Sequence, residues 1–391
     1  MKLTDYAMSA ERGFLSSFEL PAIVLPENWT PVLHAAEDLS ALITSGRVRH
    51  FLNQLPDPGV AAWAETASDS ELRAAMVRYS FLVQAYVWGE AEAPTSLPTN
   101  LAVPIVALAD ALGQAPLLPY SAYVLDNWVR LDEGGPIALD NIAMVQNFMG
   151  GGDENWFVLV HVAIEATAGQ ALQLACELVD CAAANDVAGA TLRLTQMSGV
   201  WTRINAIFDR MPERCDPYIY YQRVRPYIHG WANNPALPDG LIYEGVAKFG
   251  GAGQAFRGQT GSQSSIVPAM DALFGVVHSS DPLRAFLDEL HQYRPVPHRR
   301  FIDDLRAAST LRAFAVASAD AGLKGAFNAN LTEVAAFRTK HLEYAASYIN
   351  KQASSGAGND PDVGTGGTPF MKYLKKHRDE NRAQLLENLI V

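Results

Sequence analysis

The chain has 391 residues, with 30 basic against 42 acidic side chains, a formal charge of −12, 49% apolar residues and only 18% charged ones. That balance provides for a large globular core and excludes a chain disordered over most of its length; the dispersed acidity, with no run of five or more basic residues, argues against a nucleic-acid surface. Three cysteines, Cys176, Cys181 and Cys215, lack C-x-x-C spacing, so a disulfide framework and a cysteine-based zinc site drop out and a reducing cytoplasm fits. The first thirty residues carry charges through every apolar stretch, and no window reaches about 18 uninterrupted apolar residues, so neither a signal peptide nor a membrane partner is expected.

Taken in chain order, the patterns are helical. Over 71–89, Leu72, Met76, Tyr79, Leu82, Val83 and Tyr86 recur at three- and four-residue steps, as one buried face requires. Segment 132–153, with Gly-Gly-Pro at one end and a glycine triplet at the other, reads as a junction. The boundary is placed near 150, giving a small N-terminal helical domain over 1–149 and a larger one over 150–391. Residues 155–183 are apolar almost all round, which predicts a helix buried in a large domain and too interrupted by polar residues to span a membrane. Further helices are expected over about 188–209, 264–278, 282–292, 300–316, 329–350 and 368–388, with Ser280 or Asp281, Asn330 and Thr368 as caps. Between the last two lies 353–368, sixteen residues without an apolar cluster, a linker or a lid. No alternating β pattern of useful length occurs, so the fold class is all-α.

Among nine histidines, two stand out by position. His341 shares a helix face with Val334, Phe337 and Tyr348, so it points inward; a buried imidazole there is either a core group bonded to a carbonyl or an axial ligand to a haem iron. His161 lies in the most apolar helix with Glu165 one turn on, either a satisfied buried pair or half of a metal site. The glycine-rich stretch 250–265 fails G-x-G-x-x-G at Phe256 and has no G-K-[ST], so nucleotide binding is unsupported; its hydroxyls at a helix start suit a carboxylate or propionate. Segment 217–231 clusters five aromatics with Arg223 and Arg225, a set that is either core packing or a cradle for a planar ligand with a carboxylate tail.

The ordered blocks YVWG (86–89), LPTNLAVP (97–104), PYSAYVLDNW (119–128), WFVLVHVAIEA (156–166), RPYIHGW (225–231), NPALPDGLIYEG (234–245), GQTGSQSS (258–265), VPHRRFI (296–302), DAGLKGAF (320–327), FRTKHLEYAASYI (337–349) and GTGGT (364–368) resemble the indoleamine 2,3-dioxygenases over roughly residues 20 to 388. The resemblance implies an all-helical protein with a small N-terminal domain and a large domain that binds haem b. It makes His341 the proximal ligand of the iron, with Arg338, Asp271, Gly261 and Ser262 beside the cofactor. Arg225 would receive a substrate carboxylate. Tyr220 and Tyr221 stand where the family usually shows phenylalanines, and Phe157 keeps the distal aromatic. Tyr120, Val124, Ile228 and Gly261 match other pocket positions, and Thr365 in GTGGT matches the lid threonine.

The same resemblance implies a monomeric enzyme that adds dioxygen across the C2–C3 bond of L-tryptophan or a related indole, with a separate reductant keeping the iron ferrous. Two departures bear on the substrate. His161 replaces a small serine and is similar to the distal histidine of tryptophan 2,3-dioxygenases, and Tyr123 stands where a cysteine is common. Together with the Tyr220 hydroxyl they make the pocket smaller and more polar, so a modified indole is one alternative. A same-fold haem protein of the pyrrolnitrin-biosynthesis type, acting without ring cleavage, is the other.

Overall fold

A helix that is apolar on every side must be covered on every side, and the fold is arranged about one such helix. In the computed structural model, which describes residues 1–278, 282–355 and 370–386, Gly152–Ala183 runs between two hydrophobic cores. Val158, Leu159, Val162 and Ala166 enter the first, whereas Trp156, Val160, Ile164, Ala168 and Leu172 enter the second. Each set recurs at helical spacing, so two stripes of one helix face two bodies of side chains. By length and apolarity alone the helix could cross a membrane, with a hydropathy of 1.3, but 67% of its most apolar 18 residues are buried inside the protein, as expected of a core helix.

The first core is built on Thr30–Glu37, Asp69–Trp88 and Thr99–Leu112. Asp69–Trp88 begins with a reciprocal cap: the Ser68 hydroxyl accepts from the Glu71 N–H, and the Glu71 carboxylate accepts from the Ser68 N–H at 2.9 Å. Ile228, Trp231, Leu241 and Tyr243, far along the chain, pack into this same core. The second core gathers Val187–Asp209, Ile266–Phe274, Val296–Ala308 and Ala321–Tyr348, together with Leu3, Tyr6 and Phe14 from the chain start. That first segment crosses the long helix at Gly169, where an added Cβ would come within 2.5 Å of the Ala10 carbonyl oxygen and 2.6 Å of the Gly13 nitrogen. Glycine is required there by contact distance. The position expected for a domain boundary is occupied by Gly150 and Gly151, whose φ angles of 68° and 110° lead into the long helix.

Several expected boundaries shift. The 300–316 pattern is two helices, Val296–Ala308 and Leu311–Ala317, parted where the Ser309 hydroxyl donates to the Leu273 carbonyl at 2.6 Å. The helix expected from 329 starts at Ala321, with the Asp320 carboxylate accepting from the Leu323 N–H at 2.7 Å. Asn330 is therefore no cap: it is fully buried, and its amide donates to the Leu194 and Ala326 carbonyls at 2.8 and 2.9 Å. Two helical glycines, Gly322 and Gly325, dilute the pattern at its true start. Ser280, Asp281, Thr368 and Thr365 lie outside the described residues, as does the loop 353–368 beyond its first three positions.

Strands are confined, among the described residues, to two short pairs. Ser96–Leu97 lies parallel to Ile242–Tyr243, and Trp128–Arg130 lies antiparallel to Ile142–Met144. The first pair joins the LPTN and DGLIYEG blocks, which are far apart in sequence.

Candidate active site

The two histidines singled out by their helix faces line one cavity of about 280 Å³. The long helix presents His161 and, one turn later, Glu165. Ala321–Tyr348 presents Phe337, Arg338 and His341. Tyr120, Gly261, Ser262 and Asp271 complete the part of the lining that the sequence pointed to. Phe208, which carried no sequence signal of its own, stands between the two imidazoles, its ring 6.5 Å from His161 and 6.4 Å from His341.

His161 is fixed by its own helix. Nδ1 lies 2.7 Å from the Phe157 carbonyl oxygen and must carry the proton, which leaves Nε2 as the acceptor on the cavity side. Burial pushes its pKa down, with that carbonyl partly opposing, so the ring is neutral. His341 is held neutral more strongly: burial, then the nearby His161, lowers it to about 4. Its ring makes no hydrogen bond to any described residue. A neutral imidazole with an uncommitted nitrogen is the donor an iron porphyrin needs on its proximal side. Gly261 faces it, where an added Cβ would sit in ordinary contact, 3.9 Å from His341 Cε1 and 4.0 Å from Nε2. The residues present therefore fit haem.

Beside His341 the charges are compensated. Arg338 Nη2 donates to Asp271 Oδ2 at 2.6 Å, and His278 Nε2 lies 3.1 Å from the same oxygen. Burial alone would raise the Asp271 carboxyl, but Arg338 and His278 outweigh it and hold it down at about 2. Beside His161 there is no such counter-charge. Glu165 is 0% exposed; its Oε1 accepts from the Tyr120 hydroxyl at 2.9 Å and the Ser264 hydroxyl at 2.8 Å, while Oε2 has no hydrogen-bond partner among the described residues. Burial dominates and lifts this carboxyl to about 7, with both hydroxyls opposing. The i, i+4 step from His161 was the sequence signal for Glu165.

The glycine-rich stretch is tied down by side chains outside any glycine motif. Gln263 accepts from the Tyr120 N–H at 3.0 Å and donates to the Gly258 carbonyl at 3.1 Å. Buried Arg294 donates to the Ser262 carbonyl at 2.8 Å and the Ser264 carbonyl at 3.2 Å. Arg294 carried no local sequence signal, because its partners lie thirty residues away.

The remaining predicted positions form an aromatic interior next to this cavity without lining it. Phe157 packs its ring 4.7 Å from His161 and 4.8 Å from Tyr220, which links the two regions. Arg225 is 0% exposed, with its guanidinium carbon 5.3 Å from the Tyr221 ring centre. Tyr123, Val124 and Ile228 are buried as well; Tyr123 packs against Phe81 and Phe148, and its hydroxyl has no hydrogen-bond partner among the described residues. Both Ser121–Leu125 and Tyr220–Val224 are wound as single π turns, a form found often at functional sites. The segment 217–231 is a short α-helical turn, Pro217–Ile219, then the π turn and a 3-10 turn, Arg225–Ile228, anchored where Gln84 and Trp88 both donate to the His229 carbonyl.

A family model described as indoleamine 2,3-dioxygenase matches residues 2–384. The chain belongs to the indoleamine 2,3-dioxygenase family. It is 31% identical over 397 residues to indoleamine 2,3-dioxygenase 1 of Rattus norvegicus, covering 98% of this chain and 96% of that protein. The Aspergillus nanangensis indoleamine 2,3-dioxygenase is 31% identical over 396 residues, with 97% and 96% covered. A protein named myoglobin from Haliotis diversicolor is 30% identical over 386 residues, with 97% and 98% covered. The all-helical architecture agrees with this membership. Members of the indoleamine 2,3-dioxygenase family are haem-iron oxidoreductases that act on indoles, and haem is the cofactor that the His341 side of the cavity fits.

Proposed function

We propose that the protein cleaves the C2–C3 bond of tryptophan, or of an indole close to it, placing one atom of dioxygen on each carbon to give an N-formylkynurenine-type product. The observation that carries this reading is the pairing of two neutral imidazoles across one cavity, His341 with an uncommitted nitrogen and His161 with its acceptor directed inward. Haem, when bound, supplies the iron at which dioxygen is activated. The chain's own residues then orient, exclude water and handle protons. His161 Nε2 can accept the indole N–H, which fixes the ring against rotation. Arg225, fully buried beside aromatic rings, is suited to a carboxylate, since a guanidinium gains most from such a pairing where water is absent. The aromatic interior around Phe157, Tyr220 and Tyr221 suits the ring itself.

A monomeric state, a reducing cytoplasmic location and an external reductant complete the reading; three free buried cysteines suit such a compartment. The non-cleaving alternative is disfavoured by the dioxygenase names of the rat and fungal relatives. The test is to express the protein with a haem precursor, reduce it anaerobically, then add L-tryptophan and air while following formylkynurenine absorbance. A Soret band with product is expected. Reversible dioxygen binding without product, the behaviour implied by the name of the Haliotis relative, would overturn ring cleavage.

A further inference from the structure

A second cluster of ligating side chains sits in the cavity wall, where His278 and His377 both line the cavity, and none of its members has a part in the proposed ring cleavage. His278 follows the helix Ile266–Phe274, while His377 and Glu380 sit three residues apart on Phe370–Ala383. One ligand atom from each lies within 4.8 Å of the other two. His278 is 6% exposed at its side chain and Glu380 16%. We propose that His278, His377 and Glu380 form a binding site for a first-row divalent cation, zinc in the first instance, separate from the haem iron.

The arrangement of His278 carries the argument. Its Nε2 lies 3.1 Å from Asp271 Oδ2, so that nitrogen bears the proton and donates it to a carboxylate. This is the outer-sphere contact that fixes tautomer and ring direction in metal-binding histidines. The other nitrogen, Nδ1, then faces Glu380 Oε2 at 2.6 Å. Two acceptor atoms cannot meet at that distance without a positive centre between them, either a second proton or a metal ion. The His377 ring lies against the first, with centroids 4.4 Å apart, and supplies the third donor. Two imidazoles and one carboxylate make a donor set that zinc favours, with a water in the fourth position. Lys376 contacts the other Glu380 oxygen, Oε1, at 3.6 Å, which leaves Oε2 directed at His278.

Asp271 is already paired with Arg338, whose Nη1 donates to the His377 carbonyl at 3.2 Å, so the cluster is braced from the helix that carries His341. A bound cation would fasten Phe370–Ala383 to the end of Ile266–Phe274 and close that side of the cavity.

The test uses the haem-loaded full chain, stripped with a chelator that leaves haem in place and titrated with zinc chloride by calorimetry, with metal analysis that counts zinc apart from iron. One zinc per chain is expected, with nitrogen and oxygen neighbours at the zinc X-ray absorption edge. His377→Asn and Glu380→Gln should each weaken binding at least tenfold while the Soret band stays unchanged, which separates loss of the site from loss of the fold. No saturable zinc, or zinc bound equally well by both variants, would overturn the proposal. Failure of either kind leaves the haem reading standing, because that reading rests on His341 and His161.

Discussion

The two sides of the cavity each enclose a carboxyl group, Glu165 at 0% exposure and Asp271 at 14% for its side chain, and give them opposite chemistry. On the His161 side, Glu165 is enclosed with only the Tyr120 and Ser264 hydroxyls for company, and its pKa rises to about 7. On the His341 side, Asp271 is enclosed with Arg338 and His278, and its pKa falls to about 2. Burial acts in the same direction on both; what differs is whether a cation is buried along with the anion. One side can hold or release a proton near neutral pH, whereas the other keeps a fixed charge beside His341. A haem enzyme has use for both, a cavity wall able to exchange protons and a proximal wall that does not.

The largest expected effect breaks the proximal side outright. His341→Ala should abolish haem retention, seen as loss of the Soret band in purified protein, and an unchanged spectrum would remove His341 as the ligand. Next comes the fixed charge. Arg338→Met leaves Asp271 buried with His278 alone, and chemical denaturation should show a loss of about 3 to 5 kcal/mol, the usual cost of stranding one member of a buried pair.

A subtler change addresses the His161 side. Glu165 has a folded pKa of about 7 against an unfolded value near 4.3, so the folded state holds the extra proton between those limits. Its contribution therefore falls as pH rises from about 4 to 7 and is level above that. Glu165→Gln should flatten this part of the stability profile, while Asp271, lowered in the fold, contributes fully above about pH 4 and loses that contribution as pH falls from there to about 2. A variant whose profile matches the parent would show that Glu165 is ionised throughout. The smallest effect is expected from Tyr120→Phe, which removes one hydrogen bond to Glu165 and should cost about 1 kcal/mol in denaturation while raising the pH of the Glu165 transition.

Much of this was legible along the chain. Three- and four-residue periodicity located the helices over 71–89, 155–183 and 188–209, because the side chains that bury a helix face are neighbours in sequence. The inward face of His341 and the His161–Glu165 step came from the same rule. The start at Ala321 and the break at Ser309 did not, since an aspartate cap and a hydroxyl bonded to Leu273 look like any polar residue until their partners are in place. The resemblance to indoleamine 2,3-dioxygenases brought His161, Gly261, Asp271, Arg338 and His341 to notice together, and all of them line the cavity. Arg225, Tyr123, Tyr221, Val124 and Ile228 lie in the aromatic interior beside it. Phe208, Arg294 and His278 gave no local sign, because each acts on a residue distant in sequence or on another helix.

The sequence by itself determined which segments are helical, which of their faces turn inward and which histidines ride on those faces. All of that comes from local geometry and the cost of exposing apolar surface. The tertiary structure alone decided that the long helix serves two cores and that two imidazoles share one cavity. It also decided that one buried carboxyl meets only hydroxyls while another meets a guanidinium. A buried group's charge depends on what faces it across the interior, and that partner is chosen by packing between segments far apart in the chain.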